Sequence, residues 1–277
     1  MRIRKVAELI AQCWTSAEQA LRDTVREKSP DRNEEFITDL FHSELEAECK
    51  RISATGAVER AFKNDLRLAL PTIGEIDAGR ITRGLVATVH FHPKEIEGRT
   101  GGDYGLAFIR PDVRYANYSR SSLNIEHDYR RGLLCQAKIL RRNSSWGKPT
   151  SKQLQLMEHR LQYLSLVLYK YADQRGARRE LCPFQWQLTC NGSAADIVGW
   201  LRSGSFPNLQ SSKDILLELA DGNIGTDDDQ LISEFVAPRV RPSLEIKIHW
   251  GDGTGPGPTV QLHNSTLAVK QQVFLRR

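Results

Sequence analysis

Residues 133–140, Leu-Leu-Cys-Gln-Ala-Lys-Ile-Leu, set two strongly polar side chains inside an apolar run. No other feature of the chain restricts its fold so much. A run this apolar belongs in a core, and a buried strand does not keep a glutamine and a lysine unless something there uses them. Strand alternation sends Gln136 and Lys138 to one face and Cys135, Ala137 and Ile139 to the other. A second apolar run, Tyr104 to Ile109, follows Gly101-Gly102-Asp103, and the two runs are predicted as neighbouring strands. A carboxylate at the mouth of one strand would then face an amide and an amine two residues apart on the next. That layout suits a divalent cation and a water.

Helical spacing dominates the start of the chain. Val6, Leu9, Ile10, Cys13, Trp14, Ala17, Leu21 and Val25 make one apolar stripe over residues 4–27, and Ser29-Pro30-Asp31 ends it. A second helix, capped by Asp31 or Asn33, runs to about Ile52 with the stripe Ile37, Phe41, Leu45, flanked by Phe36 and Leu40. Stepping back three residues from Ile37 puts Glu34 on the inward face, with Glu35 to its side and Glu44 on nearly the same face. Residues 85–91 alternate as a strand, and His90 and His92 share one of its faces, without a third ligand at metal-site spacing. Residues 111–131 form a polar insertion in which Tyr115, Tyr118 and Tyr129 stand among Arg114, Arg120, Arg130 and Arg131. Residues 151–172 have helical spacing through Leu154, Met157, Leu161, Leu164, Val167, Leu168 and Tyr171; Gln153 and Gln162 lie on roughly one flank, from which either could reach DNA. Phe184 to Cys190 alternates as the next strand. Helices are expected at 194–202 and 214–220, an acidic helix start or loop at Asp227-Asp228-Asp229, and a strand at 244–250. This order gives an α/β fold, a mixed sheet flanked by helices.

The Gly-Gly-Asp turn and Gln136-Ala137-Lys138 together resemble the restriction-endonuclease-like, or PD-(D/E)XK, nuclease superfamily. There an Asp after a glycine-rich turn precedes a strand carrying Glu or Gln, any residue, then Lys. The pairing of Gly-Gly-Asp103-x-Gly with Gln136-Ala137-Lys138 looks closest to the Mrr-like branch and to bacterial relatives associated with phage defence. Those relatives also show an acidic pair before Ile-Thr, here Glu34-Glu35-Phe-Ile-Thr38, and a Glu shortly before the glycine-rich turn, here Glu97. The resemblance covers residues 33–192. It implies a core at 31–192, an N-terminal helical extension at 1–30 and a C-terminal α+β extension at 193–277. It further implies a Mg²⁺-dependent endonuclease cutting DNA, with Mn²⁺ as a substitute ion, in anti-phage defence or restriction. Asp103, Gln136, Lys138 and Glu34 would be catalytic. Asp103 and the carbonyl of Ala137 would ligate the metal, with Glu34 or Glu97 completing the shell. Gln136 departs from the commoner Glu and leaves the site one negative charge short. That departure keeps open an alternative, a nucleic-acid-binding or sensing module that retains the fold without cutting.

Charge points to the same span. Residues 99–152 hold eleven Lys or Arg against four Asp or Glu, although the whole chain is only +5. Arg99, Arg141, Arg142 and Lys148 are therefore the candidate phosphate contacts, as a polyanionic partner requires. Besides DNA, the partners expected are another defence-system protein and a second copy of the chain. Hydrophobic residues make up 40% of the chain, enough for a sizeable core. No apolar run approaches the ~20 residues of a membrane span, and no signal peptide is recognisable. The five cysteines, 13, 49, 135, 182 and 190, are odd in number and widely spaced, as expected for reduced core thiols in a cytoplasmic protein. Gly251 to Pro258 lacks the Lys-Ser/Thr ending of a P-loop.

Overall fold

The computed structural model describes residues 4–28, 34–55, 57, 60–61, 86–91, 94–114, 124–140, 145–172, 180–235, 244–249 and 259–262. Helix α1 (Arg4–Lys28) and helix α2 (Glu34–Ala54) open the chain. Their predicted stripes are buried: Trp14, Ala17 and Leu21 in α1, and Ile37, Phe41 and Leu45 in α2, are at most 2% exposed. Strand β1 (Val86–Phe91) leads to the short helix α3 (Lys94–Thr100). Strands β2 (Tyr104–Arg114) and β3 (Asn124–Ile139) then pair antiparallel, Tyr104 opposite Cys135 and Leu106 opposite Leu133. The predicted polar insertion at 111–131 is thus shorter than expected. The two strands continue through Arg114 and from Asn124, because cross-strand pairing carries the polar residues along the hairpin.

A larger correction concerns residues 151–172, predicted as one helix. Helix α4 (Ser151–Glu158) stops after two turns, a 3₁₀ turn spans Leu161–Tyr163, and strand β4 (Leu164–Tyr169) follows. All six residues of β4 are buried. A strand covered on both faces is continuously apolar, and over six residues such a run satisfies helical spacing as well. β4 pairs parallel with β3, Gln136 opposite Leu166 and Lys138 opposite Leu168, so α4 is the crossover between them.

The remaining elements are β5 (Tyr171–Ala172), β6 (Glu180–Leu181), β7 (Gln185–Leu188), α5 (Ala194–Ser203), β8 (Leu209–Ser211), α6 (Ser212–Asp221), α7 (Asp229–Phe235), β9 (Leu244–His249) and β10 (Thr259–Leu262). Among the described residues the main sheet has eight strands in the order β10-β9-β1-β2-β3-β4-β7-β8, with β5 and β6 paired apart. Among the described strand pairs only β3–β4 is parallel, so the sheet is mixed.

Helices cover both faces. On one, α1, α2 and α6 pack onto Tyr104, Leu106, Cys135, Ala137 and Trp186. On the other, Met157 of α4, Ile197 and Leu201 of α5 and Ile232 of α7 pack onto Ala107, Leu134, Leu166 and Leu168. Trp14, Phe41, Phe184 and Trp186 meet at tilted and edge angles with centroids 4.8 to 5.9 Å apart, the geometry that aromatic quadrupoles favour. Not all cysteines are core thiols: Cys13 and Cys135 are buried, but Cys182 is half-buried and Cys190 exposed. Cys190 falls just past the end of β7, where alternation no longer turns it inward. Among the described residues no helix is long and apolar enough to cross a membrane.

Candidate functional site

The site begins with the turn between α3 and β2. Gly101 has φ +75° and its N–H donates to the Glu97 carbonyl at 2.8 Å, closing α3 in the left-handed conformation that glycine adopts without strain. Gly102 has no room for a side chain, since a Cβ would come within 2.5 Å of Leu134 Cδ1. Together the two glycines let the chain pass flat against β3, and the Asp103 N–H donates to the Cys135 carbonyl at 2.8 Å.

Strand β2 starts opposite Cys135, so among the described residues the next stretch of β3 has no strand on that side. Side chains and a loop take its place. The Ala137 N–H donates to Asp103 Oδ2 at 2.5 Å, and the Ile139 N–H donates to Glu34 Oε2 at 3.2 Å. The Ile139 carbonyl accepts from the Gly147 N–H at 3.1 Å. Backbone polarity alternates along a strand, so the Ala137 carbonyl opens to the same edge as its N–H.

Gln136 and Lys138 are 0% and 5% exposed and share this edge. Gln136 Nε2 donates to Asp103 Oδ2 and, at 3.3 Å, to the Ala137 carbonyl, whereas its buried Oε1 has no hydrogen-bond partner among the described residues. Lys138 Nζ donates to Glu34 Oε1 at 3.4 Å. Glu34 therefore reaches Lys138 from the first turn of α2, where the stripe Ile37–Phe41–Leu45 aims it. Glu44, placed by spacing on nearly the same face, accepts instead from Thr24 Oγ1 of α1 at 3.2 Å. The side chain of Glu35 lies outside the described residues, as do that of His90 and the whole of His92.

Electrostatics follow from this crowding. Burial pushes the Asp103 carboxyl up to about 7; Lys138 opposes the rise, and the charges of Glu34 and Glu97 add to it. Burial likewise raises Glu34, against the pull of Lys138. Glu97, on α3, is close enough to act on both carboxyls, and its Oε1 accepts from Gln153 Nε2 at 3.0 Å. Sequence spacing puts Gln153 on a helix flank from which it could reach DNA, and gives it no contact with Glu97. Its usable signal was Thr150-Ser-Lys-Gln153, a capping-box pattern at the start of α4. Gly147 was also passed over, and it walls the site: a Cβ there would lie 3.7 Å from Glu34 Oε2 and 3.9 Å from Lys138 Cδ.

Of the basic candidates, Arg99 lies in the last turn of α3 and Lys148 follows Gly147, and both are exposed. Arg141 and Arg142 lie outside the described residues.

The oxygens available here are the carboxylates of Asp103, Glu34 and Glu97, the Gln136 amide oxygen and the Ala137 carbonyl. All are hard donors of the kind that Mg²⁺ or Mn²⁺ takes. The unpartnered Gln136 Oε1 and the Asp103 carboxyl, raised by burial, are both groups that a cation would satisfy. The donor set thus fits such an ion. Among the described residues, however, no three His, Cys, Asp or Glu side chains gather closely enough to form a metal-ligand cluster by themselves. Any ion would depend on the neutral oxygens and on water.

No protein-family model matches this chain, and no curated protein matches its sequence.

Proposed function

We propose that the protein is a Mg²⁺-dependent nuclease of the restriction-endonuclease-like kind, hydrolysing phosphodiester bonds in DNA. One observation carries the reading: Asp103, Gln136, Lys138 and Glu34 converge where β3 outruns β2, and the buried Gln136 Oε1 there lacks a partner. Buried amide oxygens are seldom left unmet; among the described residues Gln210 Oε1 is another, but no such group of charged side chains gathers around it there. Asp103, the Ala137 carbonyl and the Gln136 amide oxygen would hold the ion, with Glu34 or Glu97 reaching it through water. A bound divalent ion supplies charge stabilisation and a water of lowered pKa.

The chain's own residues do the rest. Lys138 is a cation kept at 6% side-chain exposure, so its charge acts through little water on a phosphate that gains negative charge. Glu34 holds the lysine in place and can accept a proton from an attacking water. Arg99 and Lys148, with the basic span around them, would engage the phosphate backbone. The resemblance to defence-associated relatives favours a restriction or anti-phage role in the cytoplasm.

A second reading, DNA binding without cleavage, draws on Gln136 itself. Its amide already occupies Asp103 Oδ2, and it stands where the resemblance more commonly has a Glu. The readings part on incubation of supercoiled plasmid with the purified protein and Mg²⁺, Mn²⁺ or chelator. Nicking that needs the metal supports the nuclease. Retarded but uncut plasmid supports the binding module, and neither effect overturns both.

A further inference from the structure

We propose that Gln153 is a positioning residue that aims Glu97 into this site. The inference rests on the metal-dependent reading above but adds a residue and a role to it. Gln153 is the N3 residue of α4. Its Oε1 accepts from the Thr150 N–H at 2.9 Å, and that bond leaves the amide one orientation. The NH₂ group must then face outward from the cap, where it meets Glu97 Oε1 at 3.0 Å.

The chain of contacts is Thr150 backbone, Gln153 amide, Glu97 carboxylate. One oxygen of Glu97 is held by it. The backbone backs this up: a Cβ on Gly101, at the end of α3, would lie 3.1 Å from Leu156 Cβ and 3.4 Å from the Gln153 carbonyl. α3 thus rests on α4, and the distance from Glu97 to its partner is fixed by packing. Glu97 lies on a helix of only seven residues, which has little stiffness of its own. The amide is what sets the direction of its carboxylate. A hydrogen bond that orients a ligand in this way typically changes metal affinity by about 10- to 100-fold when lost.

Capping and positioning can be separated, because the box has two halves. Thr150 Oγ1 accepts from the Gln153 N–H at 3.2 Å, so Thr150→Ala weakens the cap but leaves the Gln153–Glu97 bond. Gln153→Leu removes the donor to Glu97 without adding charge. The test is Mn²⁺ titration by calorimetry, with thermal melting of each variant beside it.

Both variants should melt somewhat below the parent. Gln153→Leu should weaken Mn²⁺ binding about tenfold, Thr150→Ala less than about twofold, and Gln153→Leu should add nothing in a Glu97→Gln background. If Gln153→Leu binds Mn²⁺ like Thr150→Ala, or loses as much affinity without Glu97, Gln153 is only a cap and the proposal falls. Gln153→Glu keeps the box and covers the case in which the leucine variant does not fold. At saturating Mn²⁺ it should lose about tenfold in nicking kcat with the KM for DNA unchanged, and an unchanged kcat overturns the proposal. A parent that binds Mn²⁺ no better than Asp103→Asn would instead remove the metal-dependent reading, and this inference with it.

Discussion

Asp103 and Lys138 share a site, yet replacing each disturbs a different property. Asp103→Asn removes a charge that burial already disfavours. Metal affinity and plasmid nicking should both be lost, while the metal-free protein at pH 8 should be no less stable than the parent. Lys138→Ala removes the cation beside Glu34. Nicking should stop, but Mn²⁺ should bind as well as before or better, since a like charge has gone. Calorimetry beside a nicking assay checks both, and an Asp103→Asn protein that cuts like the parent would unseat the assignment.

Glu18, which touches none of these side chains, carries a pH prediction. It is 5% exposed in α1, accepts from the Phe184 N–H at 3.2 Å and from Ser212 Oγ, and has Arg22 as its charged neighbour. Burial pushes its carboxyl from 4.5 up to about 7. The raised value means that the folded protein holds this proton more tightly than the unfolded chain. Stability is therefore greatest below about pH 4.5 as far as Glu18 is concerned, declines as pH rises to about 7, and is level beyond. The displacement corresponds to about 3 kcal/mol. Asp103, raised from 3.8 to about 7, adds a decline of the same sign in metal-free protein. Glu18→Gln should flatten Glu18's share, as read by urea unfolding with chelator at pH 5 and pH 8. An unchanged slope would show that Glu18 does not retain its proton in the fold.

At the scale of elements, the α4–β4 boundary is the sharpest difference between periodicity and structure. A continuous helix over 151–172 would carry its apolar face on Leu164, Val167, Leu168 and Tyr171, leaving Leu166 on the opposite, outer side. In the strand, Leu166 is 0% exposed and packs with Leu134, Leu164 and Leu168 in the core under α4 and α5. Leu166→Ala should therefore cost about 2–5 kcal/mol of unfolding free energy, measurable by denaturant titration. A cost near zero would restore the helix. The difference bears on function, because β4 is the parallel neighbour that backs Gln136 and Lys138. Without it their strand would be an edge, and neither polar side chain would be desolvated.

Over the whole molecule, charge and core are distributed differently. The core draws on α1, on the central strands and on α6 together, whereas the basic excess lies within residues 99–152. Contacts with phosphates release condensed counterions, so DNA affinity should fall steeply and log-linearly with salt, by about 0.9 in slope for each phosphate neutralised. Arg99→Ala and Lys148→Ala should each lower that slope by about 1. Fluorescence anisotropy on short duplexes at several salt concentrations reads this directly. Affinity indifferent to salt would argue against a polyanionic partner.

Much of this organisation was legible from residue order, for local reasons. The stripes of α1 and α2, the paired runs of β2 and β3 and the inward aim of Glu34 are all products of a repeating backbone geometry acting on nearby residues. Gly101-Gly102-Asp103 was legible too, because only glycine tolerates the turn that brings Asp103 against β3. What lay beyond reach depended on neighbours distant in the chain. Whether Leu164–Tyr169 is helix or strand turns on being covered from both sides, and spacing cannot express that over six residues. The open edge of β3 exists because β2 begins opposite Cys135, a matter of register between strands. Burial is likewise collective: it leaves Gln136 Oε1 without a partner and lifts the Asp103 carboxyl to about 7, and no residue brings that about alone. The amino-acid order thus determined which side chains could meet, and the tertiary structure decided how little water they would meet in.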